Sequence, residues 1–286
     1  MKITKELLKE KGACAAGYRD FLKEYPVDKY PDGVEYQELL DCCAEKDFSY
    51  GSWLLGAFGK TDEVRKIDGD LIVEKGIIFA GRLEVKGCIK AGGGIEAGWG
   101  IDVGGGIEAG NGIKAGNGIK AGLGIKAGWS IRAGDGIEAG WGIDVGGGIE
   151  AGFGIKADES IRAGLGIKAG YGIEAGWGIE AGGGIEAGNG IKAGLGIKAG
   201  YGIEAGWGID AGNGIKAGNG IKAGLGIKAG WSIRAGDGIE AGDEFGIYAG
   251  LHFRITNKTQ RKIIAKERPE NIMCGEFEEK KDDAVR

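Results

Sequence analysis

The chain has 286 residues, with 37 Lys and Arg against 42 Asp and Glu and a net charge of −5. This balance shows no bias toward nucleic acid or an anionic membrane surface, so neither is expected as a partner. Glycine is abundant at 64 residues but stays below the one-third that a collagen repeat needs, and the 3 prolines exclude that fold.

No apolar run approaches the ~18 residues of a membrane-spanning helix. The start of the chain lacks the apolar core of a signal peptide. The five cysteines are odd in number and lack metal-site spacing, which is typical of reduced thiols. These features predict a cytoplasmic protein.

Residues 1–60 predict a small α-helical N-terminal domain. Thr4 is a candidate N-cap for a helix that stops at Gly12, and a second helix runs from about Ala13 to Glu24. Residues 36–44 and 50–58 carry apolar side chains at helical spacing. A domain this small needs support, so we expect it to dock on the first coil of the segment that follows.

Residues 89–242 form a strict hexapeptide repeat. An isoleucine stands at every sixth position from Ile89 to Ile239, 26 in all, in units such as Ile95-Glu96-Ala97-Gly98-Trp99-Gly100. Residues 61–88 carry the same register in degenerate form through Leu71, Ile77 and Leu83. A fixed short period predicts a solenoid in which each unit buries its apolar residue against the next, with atypical end coils.

The charges that follow each isoleucine predict the size of one coil. All 26 are charged, so this column must face water. Charges three units apart have opposite signs in 19 of 23 cases, against 9 of 25 for adjacent units and 16 of 24 for units two apart. Because opposite charges attract across stacked strands, we predict a mainly β, three-sided parallel β-helix in which three hexapeptide units make an 18-residue coil. A two-sided coil of two units is the alternative.

The glycines that flank the variable position predict corners at which the backbone takes positive φ. After Ile239 the register breaks, and residues 243–286 predict a C-terminal β cap. Strands are expected at residues 247–249, 253–255 and 262–265, and the charged segment from Glu278 to Arg286 is expected to fray.

The aliphatic-small hexapeptide pattern over about residues 71–250 resembles hexapeptide-repeat β-helix proteins, including left-handed β-helices and the polymer-forming bactofilins. The resemblance lies at the level of the fold and favours a left-handed coil. In this chain the small residue follows the isoleucine by two positions, whereas the usual left-handed motif places it two positions before.

The enzymes that this pattern resembles are acyltransferases, which use a catalytic histidine and loops that interrupt the coils. This chain has one histidine, His252, outside the regular repeat, and its 26 units contain no insertion. The solvated acids lack the burial that tunes a general acid. We therefore expect no enzymatic activity, no cofactor and no metal.

The variable position between the glycines often carries an aromatic residue too large for the interior. Exposed aromatics in such number predict a contact surface for protein or carbohydrate. The alternative is that they stack on one another and protect the glycine backbone. The candidate partner-binding residues are Trp99, Trp129, Trp141, Phe153, Tyr171, Trp177, Tyr201, Trp207 and Trp231.

The main functional hypothesis is a non-enzymatic scaffold or protein-binding solenoid, one form of which is a bacterial or phage inhibitor that docks on a host macromolecule. A self-assembling, bactofilin-like filament protein is the alternative, and a homo-oligomer is a further candidate assembly. A hexapeptide acyltransferase is the weakest hypothesis.

Overall fold

The computed structural model describes residues 1–251 and 258–280, which form a parallel β-solenoid with helices at its N-terminal end. Each coil up to Glu240 contributes one short strand to each of three parallel sheets, here named face I, face II and face III in chain order, and the later strands extend faces I and II only. The three-sided, 18-residue coil predicted from the charges is confirmed. The left-handed sense stays a prediction.

Within the described residues, faces I and II have twelve strands each and face III has ten. The strands of face I are Val64–Ile67, Arg82–Val85, Ile101–Val103, Ile119–Ala121, Ile137–Ala139, Ile155–Ala157, Ile173–Ala175, Ile191–Ala193, Ile209–Ala211, Ile227–Ala229, Ile247–Ala249 and Ile272–Cys274. Those of face II are Leu71–Val73, Ile89–Ala91, Ile107–Ala109, Ile125–Ala127, Ile143–Val145, Ile161–Ala163, Ile179–Ala181, Ile197–Ala199, Ile215–Ala217, Ile233–Arg234, Lys262–Ala265 and Glu276–Glu279. Those of face III are Ile77–Phe79, Ile95–Ala97, Ile113–Ala115, Ile131–Ala133, Ile149–Ala151, Ile167–Ala169, Ile185–Ala187, Ile203–Ala205, Ile221–Ala223 and Ile239–Glu240.

The strand alternation explains why the repeat folds in this way. Isoleucine and alanine point inward and the charge between them points outward, because side chains alternate along a strand. Isoleucine pairs with isoleucine in the next coil, as in Ile119 with Ile137, and alanine pairs with alanine, as in Ala121 with Ala139. The isoleucines form a continuous buried column on each face. Burial of each is worth about 1.5–3 kcal/mol before conformational entropy is subtracted.

The expectation of positive φ at the corners is wrong. Residues 89–242 are all described, and none of their glycines has positive φ. The first glycine of each unit is favoured because coils approach closely: a Cβ on Gly116 would lie 2.0 Å from the carbonyl oxygen of Gly98 in the preceding coil. Asp158 is the one residue in these units that replaces this glycine.

The second glycine of each unit has more room. A Cβ on Gly118 would lie 3.3 Å from the nearest oxygen, which belongs to the following coil. Serine occupies this position at Ser130, Ser160 and Ser232. A small side chain is therefore accommodated at the second glycine.

The outward charges stack as the sign pattern predicts, with Lys168 and Glu186 forming an ion pair at 2.9 Å. Glu96 is the exception to the rule that this column faces water, since only 3% of its surface is exposed. Its carboxylate accepts hydrogen bonds from Ser52 Oγ of the N-terminal domain and from Lys114 Nζ in the next coil, the latter at 2.6 Å. A buried carboxylate is tolerated here because both oxygens are satisfied.

The N-terminal segment contains helices Lys5–Glu10, Ala15–Glu24, Tyr36–Lys46 and Phe48–Phe58, and a two-stranded antiparallel sheet of Lys2–Ile3 and Val34–Glu35. Thr4 caps the first helix by accepting a hydrogen bond from Leu7 N, as predicted. The second helix begins two residues later than predicted. The last two are longer than predicted by two residues each.

This domain packs against the outer side of face III at the first coils. Ile78 points outward at a position that carries a charge in all 26 regular units, and it is buried in the core of the helical domain. The Gln37 side chain donates to Ile78 O at 2.7 Å and accepts from Ala80 N at 3.1 Å. It therefore occupies the edge of the first face III strand as a neighbouring strand would.

Both ends of the solenoid carry a charge at an inward position. Arg65 is in register with the buried Leu83, and its guanidinium lies 4.6 Å from the Phe79 ring centroid and 3.6 Å from Asp41 Oδ2. At the other end Glu279 is in register with the buried Ala265. Inward charges on edge strands oppose the addition of another strand.

The predicted C-terminal strands at residues 247–249 and 262–265 are confirmed, and Ile272–Cys274 and Glu276–Glu279 extend faces I and II further. The expected fraying from Glu278 is wrong for Glu278 and Glu279, which pair with Ile264 and Ala265. The strand predicted at residues 253–255 and the remainder of the tail from residue 281 lie outside the described residues, as does His252.

Candidate functional site

The variable residues project from three corners that are themselves part of the hydrogen-bonded ladder. Corner I/II follows a face I strand, corner II/III follows a face II strand, and corner III/I follows a face III strand. Tyr171 N donates to Phe153 O at 3.2 Å, and Trp177 N donates to Glu159 O at 3.0 Å, each bond joining a corner residue to its counterpart one coil earlier. The corner backbone is therefore held in place, so binding at the corners needs no further ordering of the backbone.

The structure distributes the nine sequence-predicted residues over all three corners. Corner I/II carries Trp141, Trp177 and Trp231, corner II/III carries Trp129 and Tyr201, and corner III/I carries Trp99, Phe153, Tyr171 and Trp207. They do not converge on one pocket. Each row instead runs along the solenoid, with one corner residue per coil at a spacing of about 4.8 Å.

Most of these side chains are exposed. Trp99, and the pair of Phe153 and Tyr171, make contacts within the chain. The Lys60 ammonium lies 3.1 Å from the Trp99 ring centroid, so this ring holds the segment that links the helices to the solenoid. Phe153 and Tyr171 stack with ring centroids 5.2 Å apart and planes at 16°. The stacking alternative predicted from the sequence thus describes this pair.

Corner II/III holds the most exposed apolar row. Trp129, Leu165 and Tyr201 are 72%, 64% and 63% exposed. They occupy alternate coils, and Gly147 and Gly183 occupy the coils between them. Because a glycine leaves each neighbour without lateral support, the three side chains stand as separate projections about 9.6 Å apart.

Sequence reasoning missed the leucines of this row and of corner I/II. Leu165 and Leu195 project from the same corner positions as the aromatics and are similarly exposed. Sorting the variable residues by coil would have found them, because the sort places Leu165 between Trp129 and Tyr201. A search restricted to aromatic residues could not find the leucines.

The Cys43 thiol of the helical domain is poorly suited to nucleophilic chemistry. Burial raises the pKa of the Cys43 thiol to about 12, so it is protonated at neutral pH and is a poor nucleophile. Burial likewise raises the pKa of Tyr36, whose hydroxyl lies 3.0 Å from Gly59 O and 3.2 Å from Leu54 O and donates there. Both residues fit a packing role.

Within residues 1–251 and 258–280, no three His, Cys, Asp or Glu side chains come together as a metal site. The helices in this part of the chain are too short and polar to cross a membrane. All five cysteines are described and are free thiols.

Comparison with known proteins adds no family: no family model, no curated protein and no solved structure matches this chain. The fold itself is that of a hexapeptide-repeat β-helix, with regular isoleucine columns and 18-residue coils.

Proposed function

We propose that the chain is a non-enzymatic scaffold whose corner side chains bind another protein. The observation that carries this proposal is the row of Trp129, Leu165 and Tyr201, which leaves large apolar surfaces in water on a rigid backbone. Such surface is costly in solution and is typical of a contact region. Aromatic side chains are also enriched where protein interfaces derive most of their binding energy.

The spacing of this row fits a helical partner. Two coils advance about 9.6 Å along the solenoid, and two turns of an α-helix, seven residues, advance about 10.5 Å. A helix slightly inclined to the solenoid axis therefore presents side chains at i, i+7 and i+14 in step with the three projections. Apolar residues of the partner helix that lie between these positions would fill the recesses of the corner at Gly147 and Gly183.

The test uses asparagine, a residue that the corner position already carries at Asn111 and Asn219. The triple variant W129N/L165N/Y201N should fold like the wild type, with an unchanged circular dichroism spectrum and melting temperature. A phage-displayed library of random 20-residue peptides is selected on the wild-type chain and on this variant. Peptides that bind only the wild type would support the proposal. Equal enrichment on both chains, or none on either, would overturn it.

End-to-end assembly is a second candidate, favoured by one observation. At the N-terminal end of the solenoid, Val64–Ile67 and Leu71–Val73 are edge strands, and Ile72 is 69% exposed. Open edges template further strands, whereas the inward charges of Arg65 and Glu279 oppose this. Filaments of the intact chain in negative-stain images would favour this candidate, and discrete particles would reject it.

We also propose that the protein works in the cytoplasm, where its free thiols would stay reduced. Inhibition of a host macromolecule would be one use of the corner surface. A peptide selected in the experiment above would identify the class of partner.

A further inference from the structure

Within the regular repeat, the outward charges of face I alternate in sign more regularly than those of the other faces, although Glu84 and Asp102 at its start are in register and like-signed. From Asp102 onward the signs alternate through eight consecutive coils without interruption. Face II breaks this alternation at Lys198, Lys216 and Arg234, and face III breaks it at two neighbouring pairs. The face I column reads Asp102, Lys120, Glu138, Lys156, Glu174, Lys192, Asp210 and Lys228.

The charges of face I are only loosely paired within the chain. Lys192 lies 3.7 Å from Glu174, and Lys228 lies 3.9 Å from Asp210. On face II the corresponding distances range from 2.5 Å for Lys198 and Glu180 to 3.6 Å for Lys90 and Glu108. Among the described residues, Lys120, Glu138 and Lys156 make no ion pair within 4 Å. Their charged groups are thus available to a partner surface.

Face I carries a trough along its length, as the other two faces also do. The shallow trough of face I runs from Trp99 to Tyr248, lined by the outward charges and by the start of each strand, as at Gly136 and at Ile155, whose side chain points inward. The helical domain leaves this trough open because it packs on face III through Ile78. Corner III/I, with Trp99, borders the trough on one side, and the column of outward charges borders it on the other.

We propose that a second copy of this chain packs antiparallel on face I, with the two-fold axis between the coils of Lys156 and Glu174. Symmetry and charge select this arrangement. If the two solenoid axes ran parallel, two-fold symmetry would place each charge opposite the same residue of the second copy, as Asp102 opposite Asp102. If the axes run antiparallel, each charge lies opposite a charge from a different coil. With this axis Asp102 faces Lys228 of the second copy, and Lys120 faces its Asp210.

The same arrangement opposes Glu138 to Lys192 and Lys156 to Glu174. All eight charges of each copy therefore meet the opposite sign. A shift by one coil would oppose like signs along the whole interface, so the register is specified. A shift by two coils restores opposite signs but shortens the overlap.

The corner residues meet favourably in this register. The stacked rings of Phe153 and Tyr171 lie beside the axis, where they face the Tyr171 and Phe153 of the second copy. At corner I/II, Trp141 faces Leu195 of the second copy. Apolar contacts at the borders supply attraction that the charges, once desolvated, do not supply by themselves.

The area suffices for a specific dimer. Eight coils span about 38 Å and one face is about 18 Å wide, so each copy buries about 700 Å² and the pair about 1,400 Å². Corner II/III lies opposite face I. The dimer would therefore leave Trp129, Leu165 and Tyr201 free on both outer edges, and its existence does not depend on the partner proposed for them.

Zero-length carbodiimide cross-linking of the full chain tests the register. Asp102 and Lys228 lie seven coils apart in one chain, about 34 Å, so a cross-link between them can form only between copies. We expect a dimer by sedimentation velocity at about 100 μM, with Asp102–Lys228 and Lys120–Asp210 cross-links in the dimer fraction. A monomer at that concentration, or a dimer without these cross-links, would overturn the proposal.

Variants separate the interface from the fold. F153N/Y171N should weaken the dimer at least about tenfold, because these rings lie beside the two-fold axis and face each other across it. W129N, on the opposite corner, is the matched control and should leave the dimer unchanged. K156E should also weaken the dimer, and K156E/E174K should restore it, since the exchange returns opposite signs across the axis. Equal dimer affinity in all four variants would contradict the proposed face.

Discussion

The regular coils and the helical domain are stabilised in different ways. In the coils every inward residue has the same kind of neighbour above and below, as Ile137 has in Ile119 and Ile155. The helical domain depends on contacts that occur once, such as the Gln37 side chain on the backbone of Ile78 and Ala80. A repeat therefore spreads its stability over many equal interfaces, whereas the junction depends on a few side chains.

The largest effect is expected from a core truncation in the middle of the regular coils. Ile137→Ala should lower the free energy of unfolding by about 2–5 kcal/mol, because the rigid column leaves a cavity. Guanidinium unfolding measures the loss. Glu138→Ala, one residue away and outward, should cost less than about 1 kcal/mol. Similar losses in the two variants would show that the isoleucine column does not govern cohesion.

The junction can be broken without unfolding the coils. Ile78→Glu places a charge in the core of the helical domain, where burial of the isoleucine is worth about 1.5–3 kcal/mol. Hydrogen exchange should then rise in helix Tyr36–Lys46 and stay unchanged in strand Ile131–Ala133. Ile72→Glu, at the equivalent outward position of face II, is the control and should leave both unchanged. Faster exchange throughout the coils would mean that the two regions unfold as one unit.

The two glycines of a unit should respond differently to substitution. Gly116→Ala should cost about 1–3 kcal/mol, because its Cβ would overlap the carbonyl oxygen of Gly98 unless the coils separate. Gly118→Ser should be nearly neutral, since serine already occupies the equivalent position at Ser130. Thermal unfolding of the two variants gives the comparison. Equal melting temperatures would rule out close coil approach as the reason for the first glycine.

The smallest effect concerns one surface ion pair. The hydrogen bond from Lys198 lowers the pKa of Glu180 below its ordinary value of 4.5. The carboxylate's contribution to stability is therefore present above pH 4.5 and is lost as the pH falls through the lower folded-state value. Lys198→Met should move the pKa of Glu180 upward, which a carbon-detected NMR titration measures. An unchanged pKa would show that the ion pair does not persist in solution.

Much of the solenoid could be predicted because its information is local and repeated. The period of six, the inward isoleucine and the alternation of sign between every third unit together specified three faces and the register of their strands. The corner conformation could not be predicted in the same way. Glycine suggested positive φ, but its cause is the carbonyl oxygen of the preceding coil, which lies three units away in sequence.

At the candidate site, too, some features could be predicted from the sequence and others could not. The sequence alone determined that large residues such as Trp129 stand outside the coil, because they do not fit its interior. Only the tertiary structure decided that Trp99 is covered by Lys60, that Glu96 is buried, and that Ile78 anchors the helices on face III. These contacts join segments with no common period, so their geometry depends on how two unlike surfaces pack.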